Sequence, residues 1–151
     1  DNYEEALSKA FISSGLHIPR KGSVLLSIAD KDKKVSEGLI KLINERGYKM
    51  VATPGTAKLI NSLGFKAEII EKRLDKNPNV LDMIKAAKVI AVVNTVTGDR
   101  KTLHDGFRIR RAATERKLPC FTSLDTAKAV FGDKVLEENL NVKSLDEYLS
   151  L

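Results

Sequence analysis

The chain has 151 residues, 42% hydrophobic and 30% charged, which bounds it to one domain of ordinary globular composition with a short appendage. A single cysteine, Cys120, excludes an internal disulfide framework and suits a reducing, cytoplasmic setting, and with only two histidines a structural zinc cluster is not expected. The net charge of +6, from 26 Lys and Arg against 20 Asp and Glu, favours anionic partners.

The basic residues are spread over the whole length without interleaved aromatics, so a nucleic-acid surface is not expected. No apolar run approaches the roughly 18 residues a membrane span requires, and no signal-peptide pattern opens the chain. The chain begins at Asp1, which points to a fragment of something longer.

In chain order, YEEALSKAF (3–11) reads as a short helix with Tyr3, Leu7, Ala10 and Phe11 on one side, followed by Gly15 and Pro19. Residues 1–21 are therefore expected to be a linker helix from a preceding region, and 22–151 the domain proper. VLLSIA (24–29) is short, continuous and aliphatic, as a strand buried on both faces is. Residues 33–46 place Val35, Leu39, Ile40 and Ile43 at helical spacing and end before Gly47, where a left-handed cap is expected. YKMVAT (48–53) is the next strand, and a helix near 56–63 carries Leu59, Ile60 and Leu63 up to Gly64.

The succession helix, glycine, aromatic, lysine, strand appears in RGYKMVA and again in LGFKAEII. Two such units predict βαβ crossovers and parallel pairing. KVIAVVN (88–94) is the central strand, followed by a helix over about 105–117, a strand in LPCFT (118–122) and a helix near 123–131. The fold class is α/β: a doubly wound, mainly parallel five-stranded sheet with helices on both faces. Near the end, SLDE (144–147) is a capping box.

In such a sheet ligands bind beyond the carboxyl ends of the strands. Those ends carry Ser27 and Lys33 after the first strand, TPGTA (53–57) after the second, Glu71, Lys72 and Arg73 after the third, and NTVTGDRK (94–101) after the central one. In TPGT, Pro54 and Gly55 force a tight turn, and Thr56 stands where a helix begins, so free helix amides are available to a phosphate. Lys33, Thr53, Gly55, Thr56 and Lys72 together form a phosphate cradle. The alternative is Thr56 as a helix N-cap, Gly55 as a turn residue and the lysines as solvated ones.

Asn94, Thr95 and Thr97 offer hydrogen bonds to a base or ribose, or alternatively Asn94 and Gly98 only make the turn. Asp105 is expected to cap the helix it opens, with His104 beside it as a candidate proton donor. Arg110 and Arg111 read as solvated or as bridging a neighbouring domain, and Cys120 as a small core residue.

The segments LLSIADKDK (25–33), ATPGTA (52–57), VVNTVTG (92–98), IRRAA (109–113) and TSLDTA (122–127) resemble, in this order and spacing, the methylglyoxal-synthase-like family, and within it the regulatory tail of the carbamoyl-phosphate synthase large chain. The resemblance covers essentially the whole chain. It implies an allosteric domain without catalysis of its own that binds UMP, IMP or a similar phosphorylated nucleotide, with phosphate contacts at Lys33, Thr53, Thr56 and Lys72 and further contacts at Ser27 and Asn94. It implies no cofactor in this domain, while the full enzyme uses ATP with Mg or Mn. The implied partners are the synthetase domains of the same chain and a glutaminase small subunit, serving pyrimidine and arginine biosynthesis, with neither nucleic acid nor membrane.

Val96 departs from that pattern, where relatives carry a hydroxyl residue; Thr95 or Thr97 are the substitutes. A stand-alone methylglyoxal synthase acting on dihydroxyacetone phosphate is the alternative. Such an enzyme resembles this chain but carries a carboxylate base where LDKNPN (74–79) places Asn77, with Asp75 the nearest acid.

Overall fold

A parallel sheet whose middle strands are aliphatic on both faces needs helices on both sides, and the chain supplies them by alternation. A computed structural model describes residues 3–16, 18–71, 78–98, 100–132 and 144–149. Helix α1 (Tyr3–Ser13) precedes strand β1 (Ser23–Ser27), a 3₁₀ turn (Asp30–Asp32), α2 (Lys33–Glu45), β2 (Lys49–Ala52), α3 (Pro54–Ser62) and β3 (Ala67–Ile69). Then come α4 (Val80–Lys85), β4 (Ala91–Asn94), α5 (Arg100–Glu115), β5 (Cys120–Phe121), α6 (Leu124–Gly132) and α7 (Leu145–Leu149). The sheet order is β3-β2-β1-β4-β5, and every pairing is parallel.

The chain divides into two units by its internal contacts: Ile18–Gly132, and Asp1–His17 with Asp133–Leu151. In the second unit, α7 is opened by the expected box: Ser144 N–H donates to Glu147 Oε2 at 2.6 Å, and Glu147 N–H donates to Ser144 Oγ at 3.3 Å. Hydrogen bonds donated to its carboxylate by the Ser144 backbone N–H and, secondly, by the Ser144 hydroxyl hold the Glu147 carboxyl below its ordinary value. On α1, Leu7 and Phe11 are half-buried and Ala10 is exposed.

In the first unit the two faces of the sheet are filled separately. Leu25, Val51 and Val92 pack with Val80, Met83 and Ile84 of α4 and Ile109 and Ala113 of α5 in one cluster. Strand alternation turns Val24, Leu26 and Val93 to the other face, and all six of these strand residues are at most 1% exposed. That face is covered by α2, α3 and α6, with α2 packed between the other two. Leu39, Ile40 and Ile43 are fully buried, and Phe131 makes edge-on ring contacts with Tyr48 at 5.5 Å and Phe121 at 5.9 Å.

Val35, expected on the inner stripe of α2, is 56% exposed, and Ser36 is buried in its place. Gly47 does end α2 in the left-handed region (φ 76), with Tyr48 N–H reaching back to Ile43 O at 3.2 Å. Cys120 packs half-buried against the α4–α5 core, as expected of a small core residue.

Two further elements differ from expectation. Helix α4 was not read from the sequence, yet Asn79 and Asp82 build a full capping box for it: Leu81 N–H and Asp82 N–H donate to Asn79 Oδ1 at 2.9 and 3.3 Å, and Asn79 N–H donates to Asp82 Oδ2 at 2.9 Å. Helix α5 starts at Arg100 rather than near 105, so Asp105 lies inside the helix and is not its cap.

Candidate functional site

The strand order reverses between β1 and β4, which opens a crevice beyond their carboxyl ends. The backbone leaving β1 forms the spine of this edge, and threonines from both sides hold it. Ile28 N–H donates to Thr56 Oγ1 at 3.0 Å, and Ala29 N–H donates to Thr95 Oγ1 at 2.9 Å. Thr53 and Thr56 are joined at 3.3 Å between their hydroxyl oxygens. These threonines are buried, Thr56 to 1% and Thr95 to 7% exposure. Their hydroxyls therefore tie α3 and the segment after β4 to β1. Ser27 is 2% exposed and stands in register with Asn94 across the β1–β4 pair.

Helix α3 begins on this edge with Pro54 at its first position, and the Thr53 side chain makes no capping bond to it. The Gly55 and Thr56 amides belong to the turn that has no partner within a helix. Helix α4, by contrast, is sealed by its Asn79–Asp82 box.

Lys33, the first residue of α2, crosses to this open end. A Cβ built on Gly55 would lie 3.2 Å from Lys33 Nζ, so the ammonium rests close against the bare backbone at the start of α3. Lys33 also pairs with Asp30 at 2.6 Å, a carboxylate that is itself mostly exposed. An ammonium beside the positive end of a helix is unfavourable by itself; an anion between them is stabilised by both. Of the five residues expected to hold a phosphate, Lys33, Thr53, Gly55 and Thr56 are brought together here, and Lys72 lies outside the described residues. So do Asp75 and Asn77.

On the β4 side, Asn94 is 1% exposed and Thr97 is half-buried. His104 is exposed on α5, with Nδ1 4.0 Å from Asp105 Oδ1. Arg111 is exposed and pairs with Glu115 at 2.8 Å. Arg110 is not a solvated surface residue: it is half-buried and its Nε is sequestered without a hydrogen-bond partner, as is Asn94 Oδ1. Both line a cavity of about 390 Å³ with Lys31, Thr95, Val96 and Thr122.

Between Asn94 and Arg110 lies Gly106, which the sequence reading passed over. A Cβ there would meet Val96 Cγ1 at 2.5 Å, Arg110 Nη2 at 3.2 Å and Asn94 Oδ1 at 3.3 Å. A glycine inside a helix is unfavourable by about 1 kcal/mol relative to alanine, and that cost was the available signal of a close approach.

Burial pushes the Cys120 thiol above its ordinary value, and the Arg110 charge pulls the other way. Among the described residues no group of three or more His, Cys, Asp or Glu is placed to hold a metal ion, and no helix is long and apolar enough to cross a membrane. A family model described as MGS-like domain matches residues 37–122, a span that takes in β2 through β5 and most of α2.

Proposed function

The chain belongs to the MGS-like domain family, and from that premise we propose that it is a regulatory domain binding a phosphorylated nucleotide at the carboxyl edge of its sheet. The observation that carries this reading is the Lys33 ammonium held over Gly55 at the uncapped start of α3. A phosphate dianion lodged there accepts from Lys33 and from the Gly55 and Thr56 amides, with Thr53 alongside. Lys72 is the second cation of the proposed cradle. Ser27, Asn94, Thr95 and Thr97 border the remainder of the nucleotide.

In this reading the domain is the allosteric tail of a carbamoyl-phosphate synthase large chain in the cytoplasm. It carries no cofactor itself, and the ATP- and Mg- or Mn-using synthetase domains and the glutaminase subunit are its partners. The resemblance of LLSIADKDK, ATPGTA and VVNTVTG to that tail supports the assignment. Effector and synthetase are coupled only by the difference in effector affinity between two enzyme states, typically about 1–3 kcal/mol.

Calorimetric titration with inorganic phosphate, UMP, IMP and phosphoribosyl pyrophosphate tests the binding. Lys33→Ala is expected to weaken every phosphate ligand by about 1.5–3 kcal/mol, the value of a charge-assisted bond. Unchanged affinity refutes the site. Phosphate release from dihydroxyacetone phosphate by the unmodified chain would replace the regulatory reading with that of a lyase.

A further inference from the structure

Asn94 Oδ1 is a buried acceptor and Arg110 Nε a buried donor, and neither has a partner. The two side chains flank the same point of α5: a Cβ at Gly106 would be 3.3 Å from Asn94 Oδ1 and 3.2 Å from Nη2 of the same Arg110 guanidinium. Leaving such a group buried and unsatisfied is destabilising, so two in one place mark a position that something else completes.

Both residues line the cavity of about 390 Å³ beyond β4 and β5. Its charged lining residues balance, Lys31 and Arg110 against Asp32 and Asp125, which disfavours a second phosphate and favours an uncharged group. Val35 and Val96 give it apolar walls. Neighbouring strands lie about 4.8 Å apart, so the helix start above β2 and the end of β4, with β1 between them, are separated by about 10 Å. That is within the reach of one nucleoside monophosphate.

We propose that Arg110, paired with Asn94, is a further ligand-binding residue, one that recognises an uncharged hydrogen-bonding group attached to the phosphate. The inference rests on the phosphate reading above. The group presents a donor to Asn94 Oδ1 and an acceptor to Arg110 Nε. A sugar hydroxyl does both with one oxygen, and the amide-like edge of a nucleobase does so with adjacent N–H and C=O. Arg110 discriminates between bare phosphate and its esters, while Lys33 binds both.

The test titrates the unmodified chain, Arg110→Lys and Lys33→Ala with inorganic phosphate, ribose 5-phosphate and UMP. Arg110→Lys keeps the charge and removes the Nε–H. It is expected to leave inorganic phosphate unaffected and to weaken at least UMP about tenfold. Weakening of ribose 5-phosphate to the same degree assigns the group to the sugar, and weakening of UMP alone assigns it to the base.

Equal weakening of inorganic phosphate and its esters, or no change in any of the three, overturns the role of Arg110 and leaves the Lys33 site standing. Failure of the unmodified chain to bind any of them overturns the phosphate reading and this inference with it. Should Arg110→Lys shift the urea midpoint, Asn94→Asp decides instead. Its carboxylate pairs internally with Arg110, and the preference for esters over inorganic phosphate must then disappear.

Discussion

Replacing Gly106 by alanine and replacing Gly38 by alanine are the same chemical change in the interiors of two helices, and the structure gives them opposite signs. In α2 a Cβ on Gly38 meets only Lys128 Cε at 3.8 Å, an ordinary contact at the end of a flexible side chain. Gly38→Ala therefore gains helix propensity and is expected to stabilise by about 0.5–1 kcal/mol.

In α5 the same methyl group would stand 2.5 Å from Val96 Cγ1. Valine is stiff about χ1, and Val96 follows Thr95, whose hydroxyl is committed to Ala29 N–H, so relief requires moving the backbone after β4. Overpacking of this kind costs about 1–3 kcal/mol, which outweighs the gain in propensity and leaves Gly106→Ala about 1 kcal/mol less stable. Urea denaturation of both variants measures the two effects, and a gap of about 2 kcal/mol in unfolding free energy at constant m is the expected result. Adding Val96→Ala to Gly106→Ala should recover much of the loss in a double-mutant cycle. If Gly106→Ala is as stabilising as Gly38→Ala, the close approach of α5 to the strand end is not present and the cavity built on it is wrong.

Thr56→Val keeps the shape of the side chain but strands the buried Ile28 N–H, and should cost about 1–3 kcal/mol. Thr53→Val removes only a hydroxyl–hydroxyl contact and should cost less; equal urea midpoints for the two variants would refute the tie between α3 and β1. The raised Cys120 thiol follows from burial. Because its folded pKa lies above the ordinary value of 9.0, the thiol's contribution to stability is complete below that pH and is lost as pH rises through the folded value. Alkylation at pH 8 should accordingly be slow in the native chain and fast in urea, and equal rates would show the thiol to be free in solution.

Local pattern alone identified most of the elements. Aliphatic runs too short for helices marked β1 and β4, and a glycine after each amphipathic stretch marked the ends of α2 and α3. Parallel pairing followed, because a helix between successive strands is the usual crossover that returns the chain to the same end of the sheet. TPGT announced a helix start on the carboxyl edge of the sheet, and Gly55 proved to lie beside the Lys33 ammonium. Helix α4 escaped notice because six residues are too few to show a helical period, although Asn79 and Asp82 carried its capping box.

Only the tertiary structure decided what the threonines do. Thr56 bonds a backbone group 28 residues away and Thr95 one 66 residues away, and no periodicity encodes such partners. It also decided that Arg110 is sequestered, since the same arginine on another face of α5 would be solvated like Arg111. Hydrophobic period and turn chemistry act over a few residues and so fix which segments become strands and helices. The convergence of Asn94, Val96, Gly106 and Arg110 depends instead on how closely one helix approaches one strand end, a property of the packed sheet rather than of any stretch of chain.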